Sequence, residues 1–355
     1  MKLAERLNQL FCEKFEQGLF SGNVLVAKGS KALYTGTFGL ANYDSEEKLT
    51  IQSLFELASV TKPFTAIGIM ILEEQGKLCY DDYIQKWLPD FPYPEITLRQ
   101  ALTHTSGLPD YMELFKSHWN HQCIATNVDV IRLLAEHRPT LYFKAGEKYE
   151  YSNTGYVCLA SVIEAVASMP YSSFMQKYVF APAKMHRTKV MNRRYKPENV
   201  EDFAYGFIRT SEEASFVLPD ELLAYDFVKY LDGIQGDGMM HSTVIDLLSF
   251  ACALRNGDLL RASSLDLALA PVVTEDGQRT PCGFGWFIDT IPSLEMRISH
   301  SGGWPGYSTI LACYVETGYT IILLSNIENI DIQENMSDWL QQMEQYIVES
   351  DKKGL

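Results

Sequence analysis

The chain has 355 residues, enough for roughly two domains and for a core that needs neither disulfides nor a structural metal. Hydrophobic residues make up 46 %, charged residues 21 % and aromatic residues 12 %, which excludes disorder as the main theme. A formal net charge of −15 argues against phosphate backbones and anionic membranes as partners, because proteins that grip them carry a basic stripe.

Along the chain, Leu3, Leu7, Leu10, Phe11 and Phe15 recur at helical spacing, predicting an amphipathic helix that stops near Gly18. Val24 to Ala27 and Leu33 to Phe38 flank Lys28-Gly29-Ser30-Lys31 and read as a hairpin. Helical patterns follow at 63–75, 128–137, 155–168 and 243–255, the last with Ser242 as N-cap and Asp246 in its positive first turn. Residues 195–232 hold nine acids against three bases and read as a solvated insertion. Gly283 to Asp289, Arg297 to Ser299, Thr309 to Val315 and Tyr319 to Leu324 read as strands, and 333–349 as a helix. Strands at both ends with helices between them predict one sheet built from both ends around a helical insertion.

Seven cysteines, scattered and without a C-x-x-C pair, read as reduced thiols. The first twenty residues interrupt their apolar positions with charges, and no stretch reaches the roughly 18 apolar residues of a membrane span, so a cytoplasmic location is expected. Signatures of zinc proteases, P-loops, dinucleotide folds and nucleophile elbows are missing. His118 and His121 have the spacing of a metal pair but no acid or cysteine pattern beside them, so no metal or cofactor is expected.

Serine followed three residues later by lysine puts a base one helical turn from a hydroxyl. The pattern occurs at Ser45, Ser59 and Ser350, and only Ser59 to Lys62 precedes an apolar helix. Pro63 is tolerated only in a first turn, so Ser59 sits at or just before the helix start. There its N–H and the positive end of the helix face a developing oxyanion. A desolvated Lys62 takes the serine proton more readily than an exposed amine does. Tyr151-Ser152-Asn153 opens another helix and offers a phenol and an amide. His300-Ser301-Gly302-Gly303 follows a strand and offers a cation or donor, a hydroxyl and close backbone approach.

As a set, Ser59-Val-Thr-Lys62, Tyr151-Ser-Asn153 and His300-Ser-Gly302 resemble the three motifs of the serine β-lactamase and penicillin-binding-protein superfamily, class C branch. That branch also includes D-alanyl-D-alanine carboxypeptidases, D-aminopeptidases and esterases. Leu102 to Pro109, Asp81-Asp82 and Gly236 to Ser242 look similar too. The resemblance implies an α+β fold: an antiparallel β-sheet flanked by terminal helices (residues 1–62 and 275–355), an inserted mainly helical domain (63–274), and an active site in the cleft between them. It implies a serine hydrolase acting through a Ser59 acyl-enzyme on a small-molecule or peptide ester, amide or D-peptide, with β-lactams as further candidates. Ser59 is then the nucleophile, Lys62 its activator and Tyr151 the general base and acid. Asn153, His300, Ser301 and Gly302 bind substrate, and the N–H groups of Ser59 and Gly303 form the oxyanion hole. Histidine stands where β-lactamases of the branch carry lysine, which weakens carboxylate capture. The competing reading is a catalytically idle binding or scaffold protein that keeps the fold.

Overall fold

The computed structural model describes residues 2–194, 200–209, 215–329 and 336–353. Its centre is a six-stranded antiparallel sheet of β1 (Gly22–Lys28), β2 (Lys31–Phe38), β3 (Phe287–Ile291), β4 (Glu295–Trp304), β5 (Tyr307–Tyr314) and β6 (Tyr319–Ser325), in the order β3-β4-β5-β6-β1-β2. Both ends of the chain meet in it: Leu25 stands opposite Ile322 and Val26 opposite Ile321. The predicted hairpin is present, turning at Gly29 with φ 58°.

Alternation along the strands gives the sheet two apolar faces. Val24, Val26, Ile310, Ile321 and Leu323 face α1 (Leu3–Glu16) and the final helix Met336–Lys353, through Leu7, Phe11, Trp339 and Met343. Leu25, Leu311, Ile322 and Leu324 join the larger core, which surrounds α2 (Thr61–Glu74). Every α2 residue from Thr61 to Leu72 is buried, as its all-round apolar sequence requires. Asn153–Ala167 and Val244–Asn256 pack in the same core.

Three expectations are corrected. Strand β4 runs to Trp304 rather than stopping at Ser299, because Gly302 and Gly303 pair with Thr309 and Ser308 despite glycine's poor strand propensity. Thr243, not Ser242, caps the helix that follows, accepting from Asp246 N at 3.1 Å, while Ser242 lies in the short strand Met240–Ser242. Residues 195–232 are not simply solvated. Arg194 reaches Asp220 (Nη2–Oδ2 2.6 Å) and the buried Asp232 (Nη1–Oδ1 3.0 Å), and Arg193 also pairs with Asp220. Charges are held inside only when paired in this way. Glu198, Glu212 and Glu213 lie outside the described residues, as do the first residues, 333–335, of the predicted final helix.

All seven cysteines are unpaired. Among the described residues no single helix is long and apolar enough to cross a membrane; the bent pair Asn153–Ala167 and Tyr171–Phe180 passes by length and composition only, and Thr154 to Ile163 of it are core.

Candidate active site

The serine turn begins at the two-residue strand Phe55–Glu56, which pairs with Met240–Ser242. Leu57 is tied on both sides, its N–H donating to Met240 O (2.7 Å) and its carbonyl accepting from Thr309 Oγ1 (2.8 Å). Ala58 then adopts φ 47°, a left-handed conformation that L-residues avoid. This turns the chain into a 3-10 turn, Ala58–Val60, leading into α2, with Pro63 in its first turn as the sequence predicts. Ser59 thus tops a buried helix. Lys62, with no exposed surface, donates from Nζ to Ser59 Oγ (2.9 Å) and to Asp237 O (2.9 Å), and lies 4.9 Å from the centroid of the Tyr151 ring.

Ser152 caps the helix Asn153–Ala167 by accepting from Gly155 N (3.1 Å), which fixes Tyr151 and Asn153 on either side of it. Its own N–H donates to His104 Nδ1 (3.0 Å), and the His104 ring stacks on Tyr151 at 4.5 Å. Because Nδ1 accepts, the imidazole proton is on Nε2. Burial, with the charge of Lys62, pushes His104 well below its ordinary pKa, so it is a neutral platform for the phenol. The Leu102 to Pro109 segment therefore positions the second motif.

On β4, Gly302 lies against the serine turn: an added Cβ would overlap Leu57 O and Thr309 Oγ1. From His300 to Trp304 the strand pairs with Tyr307 to Leu311, while β3 reaches only Ser299, so this stretch has an open edge. His300 is 2 % exposed and sits 5.2 Å from the Phe287 ring and 6.1 Å from that of Tyr151. Burial, and then Lys62, push it down to about 3. It carries no charge at neutral pH, so of the two options the sequence left, the cation falls away. Nδ1 lies 2.6 Å from Ser301 O, which leaves Nε2 as a buried acceptor without a partner among the described residues. Ser301 is exposed, on the strand face opposite His300 and Gly302.

A cavity of about 390 Å³ joins the motifs: Ser59, Asn153 and Gly303 are in its wall. Tyr151, Lys62, His300 and Ser301 are not. The remaining wall was not legible as a site. Phe227 and Leu231, from the acidic insertion, stand with Trp304, whose ring meets Phe227 edge-on at 5.4 Å. Glu56, Asp237 and Glu328 supply carboxyl groups. Burial pushes Glu56 up to about 8, Asp232 and Asp237 adding and Arg194 and Arg193 opposing. Asp237 is raised by burial against the pull of Lys62, and accepts from Tyr111 OH at 3.0 Å. The available signals were an acid three residues before Ser59 in an apolar run, and Asp237 inside the quoted Gly236 to Ser242 segment.

The other sequence candidates separate from this site. Ser45 is exposed, and Ser350 is on the final helix. His118 stacks on His137, and His121 contacts Asp226 at 3.2 Å. Among the described residues no group of three or more acid, histidine and cysteine side chains is arranged to hold a metal.

Residues 7–341 match the family model described as Beta-lactamase. Penicillin-binding protein 4* of Bacillus subtilis (strain 168) is 44 % identical over 324 residues, spanning 91 % of this chain and 72 % of that protein. A penicillin-binding protein from Bacillus halodurans superposes with a TM-score of 0.79 at 27 % identity, covering 94 % of this chain and 98 % of that one. The D-amino acid amidase of Ochrobactrum anthropi SV3 shares the fold, with a TM-score of 0.78 at 24 % identity over 99 % of both chains. With the α+β fold in place, the chain belongs to the Beta-lactamase family and is a serine hydrolase.

Proposed function

We propose that Ser59 is the nucleophile and that the protein hydrolyses an ester, amide or D-peptide through an acyl-enzyme on its Oγ. The observation that carries this is the direct contact between Ser59 Oγ and the fully buried Lys62 Nζ at the head of α2. Lys62 in its amine form takes the hydroxyl proton as Oγ bonds to the substrate carbonyl carbon. The oxyanion is held by the N–H groups of Ser59 and Gly303, aided by the helix end. Proton return through Lys62 and Tyr151 releases the leaving group, and water then attacks the ester, restoring Ser59. Asn153 supplies an amide to the bound acyl group, and the open edge of β4 receives an extended substrate backbone.

A neutral His300 offers no counter-charge for a carboxylate, which favours esters, amides and D-peptides over dedicated β-lactam turnover; a β-lactam then acts as an acylating probe. The relatives named for penicillin binding and the D-amino acid amidase sharing the fold support that range. The division into a sheet unit (1–62 and 275–355) and a helical unit (63–274) belongs to the same proposal, with Ser59 at the seam. A reducing compartment is supported by seven unpaired thiols.

Wild-type protein treated with a fluorescent penicillin should carry one label on Ser59, and Ser59→Ala should carry none. Labelling that survives the substitution sinks the assignment. Lys62→Met should slow labelling by about 10³-fold or more while leaving the fold intact.

A further inference from the structure

We propose that the cavity beside Ser59 binds an organic cation, an ammonium, amidinium or guanidinium group on an apolar body, held by Glu56 and Glu328 and by the rings of Trp304 and Phe227. Calling that cation part of a substrate rests on the Ser59 reading; the binding site itself does not.

Three acids line the cavity, and no lysine, arginine or histidine among the described residues does. Asp237 is committed to Tyr111, and Glu328 accepts from Gly306 N at 3.1 Å with one oxygen. Glu56 is different. It is 8 % exposed, lines the cavity, and has no hydrogen-bond partner among the described residues. The charges around it are already engaged. Arg193 and Arg194 pair with Asp220, and Arg194 also with Asp232; Lys62 is held by Ser59 and Asp237 O. On the neighbouring strand, burial pushes His241 down to about 3, so it is neutral, and Tyr307 OH donates to Ala204 O. The Glu56 carboxyl group opens on the cavity and on no donor among the described residues, so the cavity is where a donor can reach it. The paired rings of Trp304 and Phe227 in the same cavity wall favour a cation over a neutral donor. Leu231 and Ile234 supply an apolar wall for the body of the ligand.

With its pKa raised to about 8, Glu56 is protonated when the cavity is empty at neutral pH. A bound cation stabilises the carboxylate, and the displaced proton goes to solvent. Cation affinity therefore rises as pH climbs towards about 8 and levels off above it, provided the ligand keeps its own charge, whereas a neutral isostere shows no such rise.

Benzamidine and benzamide have one shape and differ in charge. Calorimetric titration into Ser59→Ala protein at pH 8.5 should show benzamidine binding at least about tenfold tighter, with the ratio shrinking at pH 6. Glu56→Gln should bring the ratio to within about threefold, and Glu328→Gln should reduce it in part; the second variant carries the test if the first misfolds. Equal binding of the two ligands, or a benzamidine preference that persists in both variants, overturns the proposal. Penicillin labelling of the wild type reads Ser59 separately, so a failed nucleophile and a failed cation site give different results.

Discussion

The two walls of the cavity are built by different means. Ser59, Asn153 and Gly303 are each placed by a device a few residues long: a left-handed alanine opening a 3-10 turn, a serine N-cap, and the neighbouring Gly302 pressed on the serine turn. The wall of Glu56, Phe227, Trp304 and Glu328 is assembled from separate segments, its insertion anchored by Arg194 between Asp220 and Asp232. Local geometry thus sets the chemistry, and long-range ion pairs set the shape that the chemistry sees. The insertion's share of the second wall can change without the motifs, in keeping with a fold that hosts penicillin-binding proteins and an amidase.

The comparison breaks most sharply at Gly302. In Gly302→Ala the new methyl group meets Leu57 O and Thr309 Oγ1, so β4 and the serine turn must part and their N–H groups lose alignment. Acylation by penicillin should fall about 10²- to 10³-fold, as on loss of an oxyanion donor; a near-normal rate would mean the two elements adjust independently. On the other wall, Arg194→Met removes the guanidinium that joins Asp220 to the buried Asp232. Urea unfolding should show a loss of about 3 kcal/mol, and a loss below about 1 kcal/mol would make the insertion a surface ornament rather than a built wall.

Glu56 tests the same wall through pH. Folded, it holds its proton up to about 8; unfolded, it releases it near 4.5. Between those values the folded state binds more protons, so this group's contribution to stability falls as pH rises and levels off above about 8. The stability advantage of Glu56→Gln over wild type should therefore widen by a few kcal/mol from pH 5 to pH 8, each pH unit being worth about 1.4 kcal/mol at most. A constant gap would place the carboxylate in water. The smallest effect concerns the strained turn. Ala58→Gly relieves φ 47° but loosens the unfolded chain, so stability should rise by no more than about 1 kcal/mol. A clear loss would show that the methyl group packs usefully.

Legibility in the sequence follows the same division. Periodicity found α2, because its apolar residues run all round, and the joining of both chain ends in one sheet followed from where the strand patterns lay. Strand β4 extends past the sequence pattern because glycine carries no strand signal, and Gly302 is glycine for the sake of close approach. Ser242 was read as a cap because it, like Thr243, is a hydroxyl residue before an apolar run, and only hydrogen bonds separate the two. His300 was assigned a cation or a donor role from residue type, whereas its charge is decided by burial and by Lys62, which no local window contains. The acidic insertion looked solvated because a count of charges does not reveal that Arg193 and Arg194 lie opposite its acids.

The position of β1 between β6 and β2 also fixes the order in which the molecule can be completed. Gly22 must wait for Ser325, some three hundred residues later, and Ser59 must wait for Gly302 on β4. A chain emerging from the ribosome can form α2 and its helical neighbours early, yet neither the sheet nor the contact of Gly302 with the serine turn exists until the last strands are out. Such distant closure slows folding. It also means that a nascent or truncated chain carries the Ser59–Lys62 pair before β4 is laid against it, so the chemistry proposed for Ser59 waits on the last strands.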